Sequence, residues 1–384
     1  MEEIILKSLF TYIPFVFFVL LMFVFVAPSK MRTRTKAIWA MVLLLCASKF
    51  MCFDAFGGDA FTPNLPAAMV LTWGWAYSGM CMLLALSCLV VPIRALLYFF
   101  AKGSVPAVLW TILLPLLSWT IAALGVYNSI KLPEIKNVEI ASSRVPSSLD
   151  GYKIVHISDI HASSSLRRWR TEGIVRQVNE IKPDIVCLTG DYVDGMCRHR
   201  KTDLEPIRDL KAKDGVYFVT GNHEYYTDAE QWDYTYRLWG VDFLQNESVS
   251  PRKDLVVAGV MDTASARQYL LPDPSRALSS ASNGVFKVLL QHRPYVDYAS
   301  IFGKDYTYKF DLQLSGHTHG GVMPILRELV KRYNGGFVRG LYELPDGSNL
   351  YVSSGAGQWA GFPIRFFNDS EITVLTLKNK TTNK

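Results

Sequence analysis

Four short segments in the second half of the chain contain the acidic, amide and imidazole side chains that bind metal ions in proteins. The segments are Asp159-Ile160-His161, Gly190-Asp191-Tyr192-Val193-Asp194, Gly221-Asn222-His223-Glu224 and Gly316-His317-Thr318-His319. A fifth segment, from Leu289 to Pro294, contributes His292. The first 155 residues contain no histidine, so only the second half of the chain can bind metal through imidazole.

These residue types suit a site with two divalent cations. Two cations about 3.5–4 Å apart can hold both the attacking and the leaving oxygen of a phosphoryl displacement. Oxygens of Asp and Asn combined with nitrogens of neutral His suit manganese, iron or zinc better than calcium or magnesium alone. A histidine that does not bind metal can protonate the leaving oxygen, an effect typically worth roughly 10²–10⁴-fold in rate. The residue types therefore predict a two-metal phosphoesterase.

The segments stand where predicted β-strands end. Four of them directly follow the apolar runs Lys153–Ser158, Asp184–Thr189, Val216–Thr220 and Leu312–Ser315, and His292 ends the run Val285–Gln291. In open α/β sheets, ligands bind outside the carboxyl ends of the strands. We therefore expect these residues to converge, although they are spread over about 160 positions.

The rest of the second half alternates short apolar runs with polar helical stretches. Further strands are predicted at Leu255–Val260, Leu350–Ser353 and Ile372–Leu377, and helices at Leu166–Ile181 and Gln231–Trp239. This alternation predicts an α/β domain with one mixed sheet or two packed sheets. We assign residues 131–150 to a linker and first strand, 151–377 to the domain, and 378–384 to a polar, frayed tail.

Residues 1–130 are dominated by apolar runs long enough to cross a bilayer. Four spans are predicted, at about residues 9–27, 37–53, 67–91 (between Pro66 and Pro92) and 105–127. Lys49 interrupts the second span. It either extends its ammonium group to the membrane interface or belongs to a polar site within the membrane.

The charges of the loops predict the orientation of these spans. Residues 28–36 contain four Lys or Arg, residues 54–66 contain none, and residues 92–104 contain Arg94 and Lys102. Because cytoplasmic loops carry the excess of Lys and Arg, the first and third loops should be cytoplasmic. We therefore expect a multi-pass protein of the inner or plasma membrane with residues 131–384 outside the cytoplasm.

The basic character of the chain belongs to its membrane half. Residues 1–131 contain nine Lys and Arg against four Asp and Glu, whereas the remainder contains 31 against 30. The nearly neutral remainder lacks the basic patch of a nucleic-acid-binding protein. The sequence also gives no sign of a protein partner.

The segments DIH, GDYVD, GNHE, HRP and GHTHGG together resemble the calcineurin-like metallophosphoesterase superfamily over residues 151–377. Leu149–Tyr152, Gly320-Gly321, Tyr351–Gly355 and Pro363–Phe367 are similar to its bacterial membrane-associated (YkuE/YaeI-like) branch. The resemblance implies two packed mixed β-sheets flanked by helices, and two divalent ions of manganese, iron or zinc.

The resemblance also implies a role for each site residue. Asp159, His161 and His319 would hold the first metal, and Asp191 would bridge to the second. Asn222, His292 and His317 would hold the second metal. His223 would be the catalytic acid, and Asp194 and Glu224 would orient the ligands.

Arginines near the segments have two interpretations each. Arg167, Arg168 and Arg170 surround Trp169 directly after the first metal segment. They could contact anionic lipid headgroups or substrate phosphate, or they could lie on a solvated helix face. Arg293, next to His292, is either structural or a substrate contact.

Three functions follow from these observations. The first is hydrolysis of a phosphate ester or diester on a lipid or lipid-linked headgroup, because an enzyme joined to membrane spans by a short linker stays near the bilayer. The second is cleavage of a pyrophosphate in a nucleotide-linked acylated sugar, of the UDP-2,3-diacylglucosamine type. The third is a non-catalytic sensor of phosphorylated ligands, which the complete set of ligands and His223 disfavours.

The predicted orientation can be measured with a topology reporter. A reporter fused after Lys384 should behave as extracytoplasmic, because four spans return the chain to the side of its N-terminus. A reporter on the cytoplasmic side would contradict the extracytoplasmic location that the lipid hypothesis assumes. It would favour the nucleotide-sugar hypothesis.

Overall fold

The computed structural model describes residues 2–101, 106–268, 271–282, 284–296, 308–323 and 326–380. The chain forms two compact units. The helical unit consists of Met1–Ile130 and Ala360–Ile364, and the α/β unit of Lys131–Trp359 and Arg365–Lys384. The predictions that concern Lys102, Val105 and residues 381–384 lie outside the described residues.

The described residues of the helical unit form five α-helices. They are α1 (Glu2–Leu21), α2 (Thr33–Ala47), α3 (Lys49–Ala55), α4 (Ala67–Ala101) and α5 (Leu114–Ile130). Wider π-helical turns extend α1 through Met22–Val26 and precede α5 at Leu109–Leu113.

Two of the described helices, not four, are long and apolar enough to cross a membrane. They are Ala67–Phe100 with 34 residues and Leu109–Ile130 with 22. The pair α2 and α3 makes a third if it is counted as one bent span, and Phe10–Val26 is apolar but shorter. Pro92 does not end α4 as predicted, because a helix can continue past a proline at the loss of one hydrogen bond. The helices support association with a membrane, and the four-span topology stays a prediction.

The second predicted span is broken at Ser48. The hydroxyl of Ser48 donates to the carbonyl oxygen of Leu45 at 2.8 Å, and α2 and α3 meet there at 54°. A serine hydroxyl that bonds back to a preceding carbonyl competes with the helical ladder and favours a bend. Lys49 follows the bend with only 1% of its surface exposed. Its ammonium group is therefore enclosed by protein, and both interpretations of Lys49 stay predictions.

Two six-stranded sheets form the α/β unit. The first has the strand order β1-β12-β2-β3-β4-β5 and the second β10-β11-β9-β8-β7-β6. The strands are β1 (Glu134–Ser142), β2 (Lys153–Ile157), β3 (Ile185–Thr189), β4 (Val216–Val219), β5 (Asp242–Phe243), β6 (Glu247–Arg252), β7 (Leu255–Gly259), β8 (Phe286–Leu290), β9 (Leu312–Ser315), β10 (Gly340–Glu343), β11 (Asn349–Val352) and β12 (Glu371–Asn379). Strands β2 to β5 are parallel, as are β7, β8, β9 and β11, while β12 and β6 run antiparallel to their neighbours β2 and β7. Both sheets are therefore mixed, as predicted.

Alternate residues of each central strand enter different cores. In β3, Ile185 and Cys187 pack into a core that both sheets share, whereas Val186 and Leu188 pack toward helices. This division follows from the twofold period of a strand. Strands buried on both faces read as continuous apolar runs, and such a run is what made β3 predictable.

Helices pack on the outer faces of the sheets. They are α6 (Arg168–Ile181), α7 (Cys197–Leu204) and α8 (Ala229–Leu238) on the first sheet and α9 (Pro274–Leu278) on the second. A further helix, α10 (Arg327–Tyr333), buries none of its residues. Helix α6 buries Ile174, Val175 and Val178 on one face, as its periodicity predicts. It ends at Lys182, whose φ of 52° leaves the helical region before Pro183.

The predicted strands and helices are confirmed, with ends that differ by a few residues. Strands β5, β6 and β10 lacked a strong apolar pattern, because they are short or lie at the sheet edges. Strand β12 continues to Asn379, two residues into the predicted tail, because it stays in register with β1 up to the pair Ser142 and Asn379.

Candidate metal centre

The five segments of the sequence prediction lie at the carboxyl ends of parallel strands. Asp159 follows β2, Asp191 follows β3 and Asn222 follows β4 in the first sheet. His292 follows β8 and His317 follows β9 in the second sheet. The two sheets therefore contribute ligands to one site from the same end of their strands.

Five residues of these segments adopt left-handed backbone angles. The φ values are 54° for Asp159, 50° for His161, 55° for Asp191, 71° for His317 and 47° for His319. Such angles are uncommon for residues with a side chain and cost of order 1–3 kcal/mol each. The turns are held by backbone bonds between neighbouring segments, such as Asp159 N–H to Gly190 O at 2.9 Å and His161 N–H to Asp191 O at 3.0 Å.

Two glycines allow the segments to approach each other. A side chain at Gly316 would collide with the Ser158 hydroxyl and the Asp159 carboxylate. A side chain at Gly221 would collide with Asp191. The glycines of these motifs are therefore required by close approach between the segments.

The first cluster of candidate ligands contains Asp159, His161 and His319, and all three side chains are buried. The Nε2 atoms of His161 and His319 lie 3.2 Å apart. Oδ1 of Asp159 is 3.6 Å from Nε2 of His319 and 3.9 Å from Nε2 of His161. Three donor atoms from two segments thus point at a common position.

The second cluster contains Asn222, His292 and His317. Nε2 of His292 lies 3.2 Å from Oδ1 of Asn222 and 3.2 Å from Nδ1 of His317. Nδ1 of His292 donates to the carbonyl oxygen of Thr189 at 2.7 Å. Because a neutral imidazole has a single N–H and this bond places it on Nδ1, Nε2 has a lone pair, which faces the cluster.

Asp191 lies between the two clusters. Its Oδ2 atom is 3.2 Å from Nε2 of His292 and 3.9 Å from Nε2 of His161. The other oxygen, Oδ1, accepts the backbone N–H of His223 at 2.9 Å. The carboxylate is thus placed to bridge two cations, one in each cluster.

The donor set fits a pair of divalent cations. Ring nitrogens face one another at 3.2 Å in both clusters, and the carboxylates of Asp159 and Asp191 are at most 2% exposed. Converging lone pairs and buried negative charges are unfavourable without a cation between them. Imidazole nitrogens with carboxylate and amide oxygens are the ligands preferred by manganese, iron and zinc.

One carboxylate orients the rings of His161 and His223. Oδ1 of Asp194 accepts from Nδ1 of His161 at 2.8 Å and from Nδ1 of His223 at 2.7 Å. Each ring therefore turns its Nε2 atom away from Asp194. For His161 that atom belongs to the first cluster. For His223 it lies 4.0 Å from Oδ2 of Asp191, beside the donor atoms of the ligands.

Glu224 holds the backbone of two segments. Its carboxylate accepts from the backbone N–H groups of Asp191 at 3.0 Å, Tyr192 at 2.7 Å and Gly221 at 2.7 Å. These bonds tie the turn after β3 to the turn after β4. Glu224 thus fixes the backbone from which Asp191 projects.

The buried charges shift the pKa values of the site. Burial lowers the pKa of the His223 imidazole, but the charges of Asp191 and Asp194 outweigh burial and raise it to about 9. Burial would raise the pKa of the Asp194 carboxyl, and the charges of His161 and His223 outweigh it and hold this pKa below its usual range. Burial and the charge of Asp191 raise the pKa of Glu224 to about 7.

The candidate ligand histidines differ in the direction in which their pKa values are shifted. Burial holds the pKa values of His317 and His319 well below the usual range, which favours the neutral form that binds metal. Burial acts the same way on His292, but the charge of Asp191 outweighs it and raises the pKa to about 10. A cation beside Asp191 would compete with that proton.

Three of the four candidate arginines bind carboxylates or backbone carbonyl oxygens of the protein. Arg167 pairs with Asp203 at 2.9 Å. Arg168 pairs with Glu172 at 2.7 Å and Glu205 at 2.9 Å. Arg170 is buried, and its guanidinium donates to the carbonyl oxygens of Lys131 and Ala356. Their contact with substrate stays a prediction, which the burial of Arg170 disfavours.

Arg293 is close to the second cluster. Burial lowers the pKa of His317, and the charge of Arg293 adds to that lowering. Burial raises the pKa of Tyr226, and the charge of Arg293 opposes that rise. Its Nε donates to Oδ2 of Asp262 at 2.9 Å, and 21% of its side chain is exposed. Sequence reasoning missed Asp262, although it stands just after the predicted strand Leu255–Val260.

Arg365 also lies at the site and was not predicted as a site residue. It is fully buried, and its Nη2 lies 3.2 Å from Nδ1 of His319. An arginine in an aromatic loop gives no signal in a single sequence that it will contact a candidate metal ligand 46 residues away.

Comparisons with known proteins agree with this geometry. Residues 152–321 match the family described as calcineurin-like phosphoesterase. A transmembrane protein with metallophosphoesterase domain from Danio rerio is 32% identical over 70% of this chain and 62% of its own length. An uncharacterized metallophosphoesterase from Helicobacter pylori (strain ATCC 700392 / 26695) is 35% identical over 67% of both chains. Another from Aquifex aeolicus is 31% identical over 67% of this chain and 97% of its own.

The extent of these matches differs among the relatives. The chain spans 62% of the Danio rerio protein and 60% of a protein from Bos taurus with the same description. Those relatives therefore contain further sequence outside the shared part. The shared part includes the whole candidate metal centre up to Gly321.

Removing one charge from Asp191 should remove metal. Asp191→Asn should lower the bound metal from two ions toward one or none per chain, because a bridging carboxylate loses its charge at both positions. Elemental analysis of the purified protein measures this, with the exposed Glu180→Gln as control. Two ions retained in Asp191→Asn would contradict the bridging position.

Proposed function

The chain belongs to the calcineurin-like phosphoesterase family, and on that premise we propose that it is a membrane-anchored, two-metal phosphoesterase. Its substrate is a phosphate ester or diester of a lipid or lipid-linked headgroup. The observation that carries the proposal is the position of Asp191 between two complete ligand clusters, with His223 beside them.

The residues divide the work of hydrolysis. The two clusters would hold two divalent cations, which would supply Lewis acidity and a nucleophilic water. His223 is the general acid, and its Nε2 gives a proton to the leaving oxygen. Asp194 holds the other ring nitrogen of His223 at 2.7 Å, so the ring keeps its orientation as its charge changes. Glu224 keeps Asp191 and His223 on a fixed backbone.

Arg293 is the best placed of the candidate substrate contacts. It is partly exposed, oriented by Asp262, and close enough to His317 to affect its pKa. A guanidinium group held by a carboxylate keeps donors free for phosphate oxygens. We assign it to the phosphate of the substrate.

The lipid class of the substrate rests on the helical unit. At least two helices are long and apolar enough to cross a membrane, and α5 ends at Ile130, directly before the α/β unit. A catalytic unit attached so closely to a bilayer meets amphiphilic phosphates more often than soluble ones. The predicted orientation places it outside the cytoplasm.

A single assay tests the proposal. The detergent-purified protein should hydrolyse bis-p-nitrophenyl phosphate and at least one phospholipid of a panel when manganese is added, and chelator should abolish turnover. Hydrolysis of bis-p-nitrophenyl phosphate without hydrolysis of any phospholipid would support the phosphoesterase activity and contradict a lipid substrate. Two bound metals without any turnover would favour a phosphate sensor.

His223 should be needed for turnover but not for metal binding. His223→Gln should lower kcat by roughly 10²–10⁴-fold, because the proton donor is lost, while elemental analysis still finds two metals. His199→Gln is the matched control, since His199 is exposed on α7. Loss of metal together with activity in His223→Gln would mean that His223 is a ligand and not the acid.

A further inference from the structure

We propose that Lys49 is a positioning residue for the phosphoesterase site, acting through the loop Ser353–Asn368. The middle of this loop, Ala360–Ile364, belongs to the helical unit, and its two ends belong to the α/β unit. The kinetic part of this inference rests on the proposed function. Its structural part can be measured without turnover.

The first end of the loop supports the first ligand cluster. The backbone N–H of Ala356 donates to Ser158 O at 2.7 Å, and that of Gly357 donates to Asp159 O at 2.6 Å. Gly357 is packed against the carbonyl group of Ile160, where a side chain would not fit. This end of the loop therefore holds the left-handed turn that presents Asp159.

The second end of the loop supports His319. Arg365 places Nη2 3.2 Å from Nδ1 of His319 and donates to the carbonyl oxygens of Ser354 at 2.7 Å and Gly357 at 2.5 Å. The side chain of Asn368 donates to the backbone carbonyl oxygen of His319. Arg365 thus ties the second end to the first and both to a metal ligand.

Trp359 connects the loop to the catalytic acid. Its ring centroid lies 6.2 Å from that of His223, in an edge-on arrangement. Trp359 directly precedes Ala360, and Arg365 directly follows Ile364. The residues that touch His223 and His319 are therefore adjacent in the chain to the five residues held by the helical unit.

Lys49 holds the middle of the loop. Its ammonium group donates to the carbonyl oxygen of Gly361 at 2.6 Å. The rings of Phe50, Phe53, Tyr77 and Phe362 surround the ammonium group, with centroids 4.7–5.4 Å away. A cation enclosed by aromatic faces and a carbonyl oxygen is fixed in one place, so its bond to Gly361 fixes the loop.

Helix α4 provides a second contact with the same five residues. The ring of Pro363 lies over Gly74, where even a single methyl group would overlap it. The segment is thus held from two helices by different interactions. Because Trp359 and Arg365 directly flank these five residues, we expect a shift of Ala360–Ile364 to displace them.

The test compares two lysines of the helical unit in full-length, metal-loaded protein. Lys49→Met removes the donor at nearly constant side-chain length. Lys36→Met is the matched control, because Lys36 also donates to a backbone carbonyl oxygen, that of Ala27 at 3.0 Å, but is only partly buried. Lys49→Met should lower kcat on bis-p-nitrophenyl phosphate by about tenfold to 10²-fold, the effect of displaced catalytic groups, with KM changed less than about twofold.

Hydrogen exchange provides the readout that does not need turnover. Lys49→Met should speed amide exchange in peptides covering residues 353–368 and 221–228, whereas Lys36→Met should not. Gly74→Ala, which displaces Pro363, should act in the same direction as Lys49→Met. A lack of turnover in the wild type would count against the proposed function and leave this exchange test intact.

Two results would overturn the inference. One is identical exchange of both peptides in Lys49→Met and Lys36→Met. The other is a Lys49→Met protein with a lowered melting temperature but an unchanged kcat and unchanged exchange at 221–228, which would make Lys49 a stabilising residue of the helical unit alone.

Discussion

The burial of two carboxylates at the meeting edge of two sheets is the constraint on which the site depends. Asp159 and Asp191 are at most 2% exposed, and imidazole nitrogens converge on them from three other segments. Buried negative charge is costly unless it is paired or binds a metal. The turns around these residues therefore have to be held in place by something other than the ligands themselves.

The surrounding groups meet that requirement. Glu224 binds three backbone N–H groups of the turns after β3 and β4, and Asp194 fixes the rings of His161 and His223. Left-handed backbone angles at five of the segment residues are sustained by this network. Hydrogen bonds from Glu224 and Asp194, which are not candidate metal ligands, thus offset the strain energy of these turns.

The middle of the loop Ser353–Asn368 belongs to the helical unit, and its two ends belong to the α/β unit. Its ends support Asp159 and His319, while its middle is held by Lys49 and packs on Gly74. A lysine in an apolar helix is explained by this contact better than by a polar path through the membrane.

The sequence by itself determined the chemistry and most of the fold. Apolar runs followed by Asp, Asn or His identified the strands and the ligand types, because strand ends and metal preferences are local properties. It predicted neither the bend at Ser48 nor the continuation of α4 past Pro92, because neither feature is visible in composition.

Only the tertiary structure decided which groups meet across long separations. Arg365 reaches His319, Asp262 orients Arg293, and Lys49 reaches Gly361 across about 312 residues. The arginines after the first metal segment are close to it in sequence but interact elsewhere. Arg167 and Arg168 pair with acidic residues, and Arg170 is buried. A side chain's neighbours depend on how sheets and loops pack, and no local pattern of residues encodes that packing.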